Sequence, residues 1–222
     1  MKTRILSILV LVFISFMSLS DLSAQKVRIP QIELYLSINY TTVNSSQKTA
    51  PFDGYKGLPD LGFGLKYYFF ASKRFNLISG LEYNQYRFNF ENMVYSHYGY
   101  LHDVTYYLKR FTLPLALRYN WGNKIKISAQ AGVFGEVEID TQKETYPNQF
   151  PYFDENNPGE KVKTGVGAGG DYGYHMGLGA SIPISKFRIN LLLEYRHGLN
   201  QLNDNYEEFK LNVMRVNLGF VF

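Results

Sequence analysis

The chain has 222 residues with 23 basic and 19 acidic side chains, no cysteine, and 19 tyrosines and 17 phenylalanines beside a single tryptophan. Without cysteine it can form no disulfide and carry no lipid on a mature N-terminal thiol, and so even a charge balance offers no basic stripe to nucleic acid. About 200 residues is one domain's worth of chain.

Lys2 and Arg4 precede the apolar run ILSILVLVFISFMSL, and DLSAQ follows, with Ser23 and Ala24 before Gln25. A charged start, a short apolar core and a small-residue cleavage site predict a secretory signal peptide over 1–24, with the functional domain over 25–222. The run is short of the ~20 apolar residues of a bilayer-spanning helix. Removing Lys2, Arg4 and Asp21 leaves 21 basic and 18 acidic residues, a net of +3. No later segment holds the ~18 uninterrupted apolar residues of a membrane helix. An exported chain rich in aromatics can still cross a membrane as a closed barrel.

QIELYLSINY (31–40) alternates throughout, with Ile32, Leu34, Leu36, Ile38 and Tyr40 on one face. DLGFGLKYYF (60–69) repeats the pattern, and it recurs over 75–86, 109–119, 125–139, 172–184, 187–198 and 213–222. Eight segments of about the length of a tilted membrane strand, ~9–11 residues, predict an all-β chain. The connections alternate too: ASKR, NWGNK and SK are short, whereas 41–59, 87–108, 140–171 and 199–212 are long. The fold class this predicts is an eight-stranded antiparallel up-and-down transmembrane β-barrel with short periplasmic turns and four long outer loops.

If the apolar face meets lipid, the other face collects Glu33, Glu82, Glu136, Glu138 and Glu194. It also collects Lys66, Arg110, Arg118, Lys126, Arg188, Arg196 and Arg215. So many charges suit no dry soluble core, but across a narrow lumen they can pair. Gly62, Gly64, Gly80, Gly132, Gly177, Gly179 and Gly219 face inward as well and are expected to leave room for the arginines. A soluble lipocalin-like binding barrel is the structural rival, with the polarity reversed. Its Gly-x-Trp opening is missing, since the sole Trp121 falls in a turn. Pro114, inside RFTLPLALRY, predicts a bulge or an unpaired position near the outer half of its strand.

The segments YLKRFTLPLALRYNW, AQAGVFGEVEI, GYHMGLGASIPI and LLLEYRHGLNQL resemble the PorT-like outer-membrane β-barrel proteins across 31–222. Arg110, Phe111 and Thr112 make the spacing between the Tyr107-Leu108 pair and Pro114 longer than is usual there. The resemblance implies an outer-membrane location and, through the protein that gave the group its name, a connection with secretion. The last strand, RVNLGFVF, puts Val216, Leu218, Phe220 and Phe222 on one side. It is similar to the signal read by the outer-membrane barrel-assembly machinery, which is expected to recognise these four residues.

Candidate chemistry is sparse. His97 and His102 lie in YSHYGYLHDV with Ser96 and Asp103, and a His-Asp neighbour could orient an imidazole for general-base work. Neighbouring strand residues point to opposite faces, however, so the pair weighs little. His175 is expected to pair with a lumen carboxylate, and His197 to mark the rim. YFDENNPGEK (152–161) is oxygen-rich but lacks the spacing of a calcium loop, and GVGAGGDYG (165–173) precedes a strand, not a phosphate-binding helix. No catalytic residue, cofactor or metal is therefore expected. The reading is a non-enzymatic outer-membrane protein with a closed, charge-filled lumen, acting through its loops or rim in envelope structure or as a secretion accessory. The other readings are a narrow passive pore, a lipid-modifying enzyme and the soluble barrel. The expected partners are outer-membrane lipid and lipopolysaccharide, the assembly machinery, and secretion-system or envelope proteins.

Overall fold

A computed structural model describes residues 31–45, 54–71, 74–94, 101–145, 162–165, 169–200, 202–204 and 207–222. The predicted signal peptide, His97, Ser96 and the 152–161 segment lie outside them. The described strands are β1 (Gln31–Ser45), β2 (Gly54–Ala71), β3 (Phe75–Val94), β4 (Leu101–Trp121) and β5 (Lys126–Thr145). They continue as β6 (Val162–Gly165), β7 (Asp171–Ile184), β8 (Phe187–Gly198), β9 (Leu202–Asp204) and β10 (Glu207–Val221). Eight of them pair antiparallel in the order β1-β2-β3-β4-β5-β7-β8-β10, and β1 against β10 closes the barrel. The short β6 and β9 add to the outer ends of β5 and β10.

Closure leaves no free edge, which is the condition for strands in hydrocarbon. Every second residue of the lower barrel faces outward, and apart from Ser79 this face is apolar: Leu36 is 67% exposed, Leu61 65% and Leu178 64%. Exposure on that scale, repeated around the ring, is a lipid-facing band. Tyr119, Trp121 and Phe75 cluster beside the short turns, with Tyr119 and Phe75 centroids 4.9 Å apart, as an aromatic girdle.

The strands run well beyond the predicted ranges. β4 has 21 residues and β3 and β5 have 20 each, so this wall rises about 50 Å at ~40° tilt, twice the ~25 Å apolar band. Most of the expected loops at 41–59 and 87–108 are therefore strand. In this outer extension the polarity inverts. Tyr86, Phe88, Phe90, Val104, Tyr106 and Leu108 point inward with Val43, Leu211 and Val213 and form one buried apolar cluster. Phe88 stacks on Tyr106 at 5.3 Å. The outward face carries Lys109 paired with Asp140 at 2.8 Å, and Tyr107, which donates to Glu144 at 2.6 Å.

Pro114 makes no bulge. Its side chain faces inward, and β4 keeps register with β5 at Pro114↔Phe134. Against β3 the same register holds on both sides, at Ser79↔Leu115 and Glu82↔Thr112. The Pro114 carbonyl points at β3 and accepts from Ser79 Oγ at 2.8 Å. The missing donor thus falls on the β3 side and costs one rung without shifting the ladder. The irregularities lie elsewhere, between Leu58 and Gly62 around Pro59, between Tyr68 and Phe70, between Lys109 and Arg110, and between Phe90 and Met93.

Candidate functional site

All eight barrel strands send a charged or ionisable side chain into the lower lumen. Glu33, Lys66, Glu82, Arg110, Arg118, Glu136, His175, Glu194, Arg196 and Arg215 are all buried there. At the centre two arginines and two glutamates close a ring. Arg196 reaches Glu82 at 2.5 Å and Glu194 at 2.7 Å, and Arg215 reaches Glu82 at 3.0 Å and Glu194 at 3.1 Å. Because Glu82 stands on β3 and the other three on β8 and β10, the ring ties opposite walls together.

Two branches leave this ring. Toward the turns, Gln130 donates to Glu194 at 2.7 Å and accepts from Arg118 at 2.8 Å. Arg118 donates to the Tyr68 oxygen at 2.7 Å, and Tyr68 donates to Glu33. Asn190 also donates to Glu33, at 2.9 Å. Toward the outside, Glu136 accepts from Arg110 at 3.2 Å, Thr112 at 2.8 Å and Tyr86 at 2.6 Å. Tyr86 thereby joins the ionic layer to the apolar layer above it. The His175 Nδ1 lies 3.4 Å from Glu194. Charge-assisted bonds of these lengths, out of water, hold the strands at fixed spacing.

Lys66 occupies a different setting. Its ammonium lies over the Tyr35 ring at 4.0 Å and has no hydrogen-bond partner among the described residues. Gly64 and Gly219 make room, but not for arginines. A Cβ at Gly64 would meet the Tyr35 hydroxyl at 2.6 Å, and one at Gly219 would meet Glu33 Oε1 at 2.3 Å. The bulk accommodated is that of Tyr35 and Glu33.

Three residues assigned to this network from the alternation stand apart from the cluster. Arg188 sits half-buried at the turn end, donating to Ser181 Oγ at 2.9 Å and to the Lys124 carbonyl at 3.5 Å. Lys126, also half-buried, begins β5 at that same end. Glu138 is half-buried beside the Lys109/Arg110 irregularity, where the extra residue breaks the inward alternation. Residues that the sequence reading passed over include Tyr35, Tyr68, Gln130 and Asn190, all on the inward face and so visible in the same alternation. Asp171 was missed because it fell in an expected loop; it is buried and accepts from the Tyr172 and Asn200 amides at 2.7 and 3.0 Å.

In β10, Val216, Leu218 and Phe220 face lipid opposite Ile38, Leu36 and Leu34 of β1, and the Phe222 amide donates to the Ile32 carbonyl at 3.0 Å. Phe222 is 66% exposed. His102 and Asp103 are consecutive on β4, and Asp103 is exposed. His197 bonds through Nδ1 to Asn212 at 2.6 Å, on the outward face near the outer end of β8.

A closed antiparallel barrel with an apolar exterior band and an ionic interior defines an outer-membrane β-barrel protein. The chain belongs to the outer membrane protein beta-barrel domain family, which it matches over residues 23–204. Among solved structures it is similar to the attachment invasion locus protein Ail of Yersinia pestis, with 16% identity, 88% of this chain and 100% of that chain covered, and a TM-score of 0.44. It is also similar to the outer membrane protein OprG of Pseudomonas aeruginosa, with 8% identity, 86% and 94% covered, and a TM-score of 0.47. The outer membrane protease OmpT of Escherichia coli follows, with 8% identity, 87% and 95% covered, and a TM-score of 0.43. No curated protein matches the sequence.

Proposed function

We propose that this outer-membrane barrel is a non-enzymatic, non-conducting protein that acts through its outer extension and rims, in envelope structure or as a secretion accessory. The observation that carries the reading is the doubly filled lumen: an ionic layer tied across the barrel, capped by a packed apolar layer. Eight strands leave an interior about wide enough for side chains alone, and here those side chains are bonded to one another. That leaves the outward surfaces and ends of the barrel for contact with partners. The PorT-like resemblance of the β4, β5, β7 and β8 segments supports the secretion-accessory version. The alternation of Val216, Leu218, Phe220 and Phe222 supports their recognition by the assembly machinery during insertion. Capture of the tagged protein from solubilised membranes, paired with a deletion strain, tests the role. Specific envelope or secretion components should be recovered, and the deletion should alter secretion or envelope integrity. Recovery of none, with both phenotypes unchanged, would end the secretion-accessory version.

A further inference from the structure

Among the described residues, the turn end of the barrel carries bases and no side-chain acid. Arg74 in the β2–β3 turn, Lys124 and Lys126 around the β4–β5 turn, and Lys186 and Arg188 around the β7–β8 turn all lie there. Among the described residues no Asp or Glu side chain joins them; Glu33, the lowest carboxylate in the barrel, is buried and bonded to Tyr68 and Asn190. At the opposite end the charges are mixed, with Asp60, Glu91, Asp103, Asp140 and Glu144 among Lys56, Arg87 and Lys109. The asymmetry therefore belongs to one membrane surface.

Three observations say what covers this edge. Each turn places its base directly beside an outward apolar or aromatic residue: Arg74 before Phe75, Lys124 before Ile125, Lys186 before Phe187. Phe75 is 51% exposed and Ile125 57%, so the bases stand at headgroup depth and not on a surface projecting into water. The turns are also joined. Arg188 donates to the Lys124 carbonyl at 3.5 Å, and Asn120 beside the β4–β5 turn donates its amide to the Arg74 carbonyl at 2.7 Å. Lys126 registers against Ser181, to which Arg188 also donates. The three exposed bases, Arg74, Lys124 and Lys186, thus form one edge from the β2–β3 turn to the β7–β8 turn, with the inward-facing Lys126 and Arg188 behind it.

We infer that this edge is a binding site for the phosphate headgroups of anionic phospholipids in the periplasmic leaflet. Each phosphate meets an ammonium or guanidinium while the acyl chains lie on Phe75, Ile125, Ile127 and Ile184. An acidic protein would have to reach the same bases past the lipid that the neighbouring apolar residues require. The inference rests on the membrane-spanning reading, and a folded, inserted variant keeps the two questions separate.

The mature chain is reconstituted into phosphatidylcholine bilayers doped with phosphatidylglycerol, and association of spin-labelled lipids of the two classes is compared. The wild type should prefer phosphatidylglycerol, and added salt should reduce the preference. One base near an anionic surface contributes up to about fivefold, so Arg74→Gln/Lys124→Gln/Lys186→Gln, which removes the three exposed bases, should bring the two lipids close to parity. Lys56→Gln/Lys109→Gln, at the other end, should leave the preference intact. The heat-modified gel shift checks that each variant is folded; should the triple variant fail to fold, Lys186→Gln alone, in an exposed turn, is used and should lower the preference. Equal association of both lipids with the wild type, or a preference that survives removal of the bases, overturns the inference. Base-dependent binding of a polyglutamate peptide without any lipid preference would overturn it in favour of an acidic protein.

Discussion

Arg196→Glu puts the cross-lumen ring to its hardest test. Arg196 lies 2.5 Å from Glu82, 2.7 Å from Glu194 and 3.7 Å from Glu136, with its guanidinium over the Phe134 ring. Removing one partner of a buried pair costs about 3–5 kcal/mol. The new carboxylate then faces three others, and one like-charge contact at ~4 Å adds about 4 kcal/mol at an effective dielectric of ~20. Arg188→Glu, at the half-buried rim, loses only bonds to Ser181 and the Lys124 carbonyl, and should cost about 1 kcal/mol. At about 2–4 °C per kcal/mol for a chain of this size, the heat-modified gel shift should fall by at least 6–20 °C for Arg196→Glu and by a few degrees for Arg188→Glu. Equal, small shifts for the two variants would mean that the lumen is hydrated and the ring contributes little.

Other substitutions separate the parts of the account. Lys66→Met should leave the gel shift unchanged or raise it, because the ammonium it removes is buried without a hydrogen bond among the described residues and a methionine fills similar space; a large loss would show that its attraction to Glu33 outweighs desolvation. Gly80→Ala should destabilise by about 1–3 kcal/mol, since its Cβ would fall 2.1 Å from the Leu65 carbonyl oxygen, and denaturant titration in detergent reads this directly. Deleting Phe222 should impair insertion in cells while refolding into detergent stays near normal, because a single exposed aromatic contributes only a few kcal/mol at most. Equal losses in the two settings, as expected for the comparison variant Phe220→Ala, would reduce the Phe222 effect to ordinary stability.

The barrel was legible because two independent patterns agree, the period-two apolar face and the alternation of short with long connections. Its outer extension was not, and β3 shows why. Leu81 and Tyr83 face outward and are apolar, whereas three residues later Tyr86, Phe88 and Phe90 carry the apolar role on the inward face. The strand continues, but its apolar parity changes where the surroundings change from lipid to water. A sequence window sees only a broken alternation at Gln85–Tyr86 and reports a loop. In β4 the same exchange falls at Lys109–Arg110, where the β5 register also slips. The inward charges were readable for the same reason as the strands. Which of them would meet was not, since Glu82 and Arg215 are 133 positions apart and come together only through the closure of β1 on β10. Lys126, Arg188 and Glu138 share the alternation of the cluster but lie toward its ends, and alternation reports face without depth.

The closed lumen is the central claim, and planar-bilayer recording of the purified, folded protein tests it most directly. Glu82, Glu194, Arg196 and Arg215 bonded across the barrel beneath a packed layer of Phe88, Phe90 and Tyr106 predict a silent baseline broken at most by rare, small openings. Steady ohmic conductance that scales with salt would contradict it.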